Sequence, residues 1–70
     1  MIYEILNGCT LLATLPGGGQ SPQLAALRRT YDLSLQVDGP LTLWKLALGG
    51  PEALEICRVH RGAFLPLTEA

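Results

Sequence analysis

The sequence predicts an α+β fold: a small antiparallel sheet with one helix, in the order β-hairpin, helix, β-hairpin, β-hairpin. Three observations carry that expectation. Asn7-Gly8 separates two short apolar-rich runs, Ser21-Pro22 opens a stretch with helical periodicity, and Asp38-Gly39-Pro40 divides Leu33–Val37 from Leu41–Leu48. With 70 residues, these elements make one small α+β domain over 1–70. At that size only about 60% of the unfolded surface can be buried, so intrinsic stability is marginal.

Ile2 to Leu6 alternates loosely, Asn7-Gly8 is a strong signal for a tight hairpin, and Cys9 to Leu15 continues as the second strand. Pro16-Gly17-Gly18-Gly19-Gln20 then breaks regular structure. Ser21 is expected to cap the helix, with Pro22 at its first position. No glutamate follows Ser21 by three residues, so the sequence has no capping box. The helix is expected to reach about Tyr31, with Leu24, Leu27 and Tyr31 as its buried stripe and Gln23 and Arg29 outward.

The clearest pattern is Leu-Ser-Leu-Gln-Val, then Asp38-Gly39-Pro40, then Leu-Thr-Leu-Trp-Lys-Leu-Ala-Leu. It reads as a central hairpin, because the three middle residues supply turn chemistry. A three-residue loop sets Val37 opposite Leu41 and Leu35 opposite Leu43, with Trp44, Leu46 and Leu48 on the other face. A two-residue loop sets Leu33 against Trp44 instead; the first register is preferred. Either way the second strand has large apolar side chains on both faces, so it is covered on both sides or presents a face that seeks a partner. The rival for Pro40–Gly49 is a helix capped by Asp38. After the Gly49-Gly50-Pro51 break, Leu54 to His60, Arg61-Gly62 and Ala63 to Leu67 read as a final hairpin. The rival there is a helix opened by Pro51, with Glu52 and Glu55 early, Arg58 and Arg61 late, and Gly62 as its stop.

Hydrophobic residues are 49% of the chain and charged residues 16%, more apolar surface than so small a core absorbs. A homodimer is the simplest remedy. The net charge of −1 and pI near 5.6 supply no global field toward nucleic acid or an anionic membrane. Cys9 and Cys57 are too few for a disulfide framework and read as free thiols of a cytoplasmic protein. The opening Met-Ile-Tyr-Glu has no basic n-region, and Leu11 to Leu15 is too short for a signal core or a membrane span.

Gly17 to Gly19 sit where a phosphate loop would, but the Gly-Lys-Ser/Thr ending is absent and Pro22 removes an amide, so a crossover loop is expected. On a strand, Cys57 and His60 point to opposite faces; even with Cys9 they lack a fourth ligand, so no metal site is expected. No nucleophile, base and orienting group can be assembled, which argues against an enzyme and against a cofactor. Arg58, His60 and Arg61 are the densest basic group and Arg28-Arg29 the second, with Glu4, Asp32, Glu52 and Glu55 available to neutralise them. Trp44, the only tryptophan, suits a core or an oligomer interface. The expected function is a non-enzymatic protein-binding module, a small regulator or inhibitor, contacting its partner through Trp44, Arg58, His60 and Arg61. The alternative is a nucleic-acid-binding or transcription-regulating protein that uses an arginine face with Trp44 or Tyr31 for stacking, and its binding would weaken steeply with salt.

Overall fold

Alternation in Ile-Tyr-Glu-Ile-Leu-Asn suits a strand, and the glycine after it lets the chain reverse. In the computed structural model, which describes residues 1–18, 21–47 and 53–65, β1 (Ile2–Asn7) and β2 (Thr10–Pro16) form a hairpin through Gly8 and Cys9. Gly8 has φ 62°, a conformation that favours glycine. Helix α1 (Pro22–Ser34) follows, and then the strands β3 (Leu41–Leu46), β4 (Ala53–His60) and β5 (Ala63–Leu65). The five-stranded sheet has the order β2-β1-β3-β4-β5, antiparallel at every pairing. Because β1 lies between β2 and β3, those two run the same way, and α1 crosses over β1 to join them. The α+β class is as expected, although the last three strands form a continuous meander rather than separate hairpins.

One sheet face packs under α1. Tyr3, Ile5, Leu41, Leu43, Cys57 and Val59 are buried there, and cross-strand registers set Ile5 beside Leu43, Leu43 beside Cys57, and Leu41 beside Val59. The helix meets this row through Ala26, Thr30 and Ser34, all buried, with Leu27 and Leu33 half-buried beside them. The expected stripe is therefore corrected: Leu24 and Tyr31 are 55% and 41% exposed. The sheet already supplies the large side chains, and small residues at every fourth helical position let the helix backbone approach closely. Pro22 does open the helix, but Ser21 sits in the left-handed region at φ 49° and makes no side-chain cap bond.

The first half of the central hairpin does not form. Leu33 and Ser34 end α1, and the chain continues in a tight turn in which Leu35 N–H donates to Asp32 O, while Gln36 and Val37 N–H donate to Leu33 O. Leu33, Leu35 and Val37 have strand spacing, yet Leu33 and Val37 are also four apart, and those two pack against the core while Leu35 stays exposed. The partners expected for Leu41 and Leu43 are also replaced, since these residues pair with Asn7 and Ile5 of β1. Trp44 and Leu46 do lie on the opposite face; Leu48 is outside the described residues. Strands β3 and β4 remove the helical alternatives for 41–46 and 53–60. Arg61 (φ 50°) and Gly62 (φ 79°) make the left-handed two-residue turn into β5.

Candidate protein-binding face

Helix α1 covers one side of the sheet, and among the described residues nothing covers the other. The registers arrange that second face in three cross-strand rows. Pro16, Ile2, Leu46 and Ala53 form the first. Thr14, Glu4, Trp44 and Glu55 form the second, and Leu11, Leu6, Thr42, Arg58 and Leu65 the third. Trp44 thus stands mid-sheet between two carboxylates, with an aliphatic row on one side and, on the other, a row of leucines with Thr42 and Arg58 at its centre. Ile2, Leu6, Trp44 and Leu46 are each half-buried by their neighbours alone.

An irregularity between β3 and β4 builds the polar part of this face. Leu43 pairs with Cys57 and Trp44 with Glu55, so Ile56 is an extra residue. Without that bulge, Glu55 and Arg58, three apart on a strand, would point to opposite faces. With it they share one, and Arg58 Nε and Nη2 donate to the Glu55 carboxylate at 2.5 and 3.1 Å. This hydrogen bond is the main reason the Glu55 carboxyl titrates below its ordinary range; burial opposes it and the Arg58 charge assists it. Ile56 turns to the core side, beside Cys57. The buried Cys57 thiol is pushed upward by desolvation and secondarily by the Glu55 charge. Cys9, in the first hairpin, is exposed, and both cysteines are free.

The structure separates the expected basic group. Arg58 lies on the uncovered face with Glu55, whereas Arg61 Nη2 donates to Asp38 Oδ1 at 2.8 Å, in the loop that leads into β3. His60, with the same strand parity as Arg58, is exposed at the far end of β4. Trp44 and Arg58 are therefore on one surface, while Arg61 is drawn to the α1–β3 loop. Sequence reasoning placed Trp44 on its face but missed Ile2, Glu4 and Leu6 as neighbours, because that requires the β1–β3 pairing across some forty residues. At the glycine loop, Gly17 N–H donates to Met1 O at 3.0 Å, which ties down the end of β2; Gly19 and Gln20 are outside the described residues. Among the described residues no group of three or more His, Cys, Asp or Glu side chains is placed to hold a metal ion, and no helix is long and apolar enough to cross a membrane.

Among the described residues, fold and face together define an α+β protein with one helix on an open five-stranded sheet. No family model matches the chain, and no curated protein or solved structure is significantly similar to it.

Proposed function

We propose that this protein is a non-enzymatic protein-binding module, a small cytoplasmic regulator or inhibitor that works as a homodimer and engages its target through the uncovered sheet face. The observation that supports this reading most is the mid-sheet position of Trp44, with Ile2, Leu6 and Leu46 around it on a face that nothing among the described residues covers. An aromatic anchor with aliphatic side chains nearby and charged groups beside it is the pattern of an interface centre. The arginine-face alternative is weaker, because Arg58 and Arg61 each bind a carboxylate in separate places.

The test is capture from lysate of the source cells by the tagged chain, with and without nuclease, at low and high salt. Wild type, Trp44→Ala and Leu46→Lys are compared after circular dichroism has shown that all three are folded. One protein captured by wild type, resistant to nuclease and salt and lost with both variants, is the expected result. Capture abolished by nuclease or salt would transfer the function to nucleic acid, and capture indifferent to both substitutions would overturn the sheet face as the site.

A further inference from the structure

Helix α1 has a second apolar side. At about 100° per residue, Leu24, Tyr31 and Leu35 fall within about 40° of one another, and that line lies about 120° from the centre of the buried Ala26, Thr30 and Ser34 stripe. Leu24, Tyr31 and Leu35 are 55%, 41% and 59% exposed, and Phe64 of β5, at 55%, stands beside them. Leu24, Leu27, Tyr31 and Phe64 line an open groove of ≈ 460 Å³, together with Arg28 and Asp32.

Those two charges identify what fits the groove. Arg28 and Asp32 are one helical turn apart, both exposed, and neither makes an ion pair among the described residues. When a helix pairs antiparallel with its own copy about a two-fold axis at residue 30, Arg28 of each copy comes level with Asp32 of the other, on the same flank of the seam. Leu24 then lies within one residue of Leu35 of the second copy. The surface is thus complementary to itself in charge and in apolar content. Tyr31 and Leu35 lie against Gly62 of the β4–β5 turn and Phe64 lines the same groove, so the groove runs between α1 and the β5 edge, and the second helix reaches it from that edge. The exposed parts of Leu24, Tyr31, Leu35 and Phe64, with the two charges, offer roughly 550 Å² per copy, so the pair can bury at most about 1,100 Å², which is at the small end of specific contacts, near ~1,000 Å².

We infer that the homodimer forms through this helical seam, with a second copy of the chain as the occupant of the groove, leaving both Trp44 faces free for the target. The inference rests on the dimeric part of the proposed function but uses none of the Trp44 face.

Sedimentation of the purified full chain, up to about 500 μM because an interface this small associates weakly, tests it with charge reversals at exposed positions. Wild type is expected to dimerise. Arg28→Asp alone and Asp32→Arg alone each set like charges at two symmetric places, raising the dimer dissociation constant at least about tenfold. The double variant restores dimers, and so does mixing the two single variants, since every contact is then attractive. A monomeric wild type, or single variants that dimerise as wild type does, would overturn the seam. So would dimers dissociated by Trp44→Ala and untouched by Arg28→Asp, which would move self-association to the sheet. Target capture by the monomeric Arg28→Asp chain would show the Trp44 face working independently, so the two readings stand or fall separately.

Discussion

Ser34 and Thr30 lie on the same buried stripe of α1, at 1% and 0% exposure, yet removing their hydroxyls should have different consequences. Thr30 Oγ1 donates to Ala26 O at 2.7 Å, a carbonyl that by helical geometry already accepts the Thr30 N–H. Thr30→Val therefore orphans nothing. Ser34 Oγ does two jobs. It donates to Tyr31 O at 2.6 Å, which needs a donor because Leu35 N–H has turned to Asp32 O, and it accepts the Gly62 N–H at 2.9 Å. It joins the end of the helix to the β4–β5 turn. Ser34→Ala leaves a half-buried carbonyl and a half-buried N–H without these partners, at a cost of about 1–2 kcal/mol; Thr30→Val should cost less than ~0.5 kcal/mol. With a urea slope of about 1 kcal/mol/M for a chain this small, the Ser34→Ala midpoint falls by roughly 1–2 M while the Thr30→Val midpoint stays within about 0.5 M of wild type. Urea titrations followed by circular dichroism measure both. Equal losses, or a larger loss for Thr30→Val, would refute the assignment of Ser34 as the link between the two elements.

Three further outcomes follow from local geometry. Arg61 holds φ 50° without being glycine, and its ion pair with Asp38 is largely exposed. Arg61→Asn should therefore raise the melting temperature, because the relieved left-handed strain outweighs an exposed pair worth under about 0.5 kcal/mol; a lower melting temperature would refute that ranking. The depressed Glu55 carboxyl stabilises the fold above the ordinary carboxylate range, and that contribution disappears as pH falls through its folded-state value. Glu55→Gln should thus be less stable than wild type at neutral pH by under about 1 kcal/mol, since Arg58 is 40% exposed, and the gap should close in acid. A gap that is constant with pH would contradict the Arg58 contact. In the native protein iodoacetamide should alkylate the exposed Cys9 quickly and the buried, upward-shifted Cys57 only on unfolding; equal labelling rates by mass spectrometry would contradict the burial of Cys57.

The turns were legible because their chemistry is local. Gly8, Pro22 and Arg61-Gly62 each mark an element boundary with their own backbone preferences. The misread stretch is Leu33–Val37, where strand spacing and helical spacing share two residues, so periodicity alone could not decide. The tertiary contact of Leu33 and Val37 with the core decided it. The helix stripe was misjudged for a related reason: apolar size picked out Leu24, Leu27 and Tyr31, whereas fit against a sheet already filled with Tyr3, Ile5, Leu41 and Leu43 selected Ala26, Thr30 and Ser34. Of the candidate face, Trp44 followed from strand parity. Its contact set did not, because the bulge at Ile56 and the β1–β3 register are properties of pairing, not of either segment.

Filling the helix–sheet contact with small residues also explains where the apolar surplus goes. Large side chains that the helix–sheet contact does not take up, Leu24, Tyr31 and Leu35 on one side and Trp44 and Leu46 on the other, are left on two surfaces, and those surfaces differ in kind. The helical seam carries one cation and one anion a turn apart, so in charge it is complementary to its own copy. On the sheet, Glu4 and Glu55 flank Trp44, and the one cation in those rows, Arg58, is already bound to Glu55. Glu4 makes no ion pair among the described residues. Stacking two such faces on a two-fold axis through Trp44 would bring carboxylates together in a desolvated contact, which is costly without added cations. On charge grounds the sheet face is thus the poorer match for a second copy, and its best complement is a different chain that places an apolar group against Trp44 and a lysine or arginine beside Glu4.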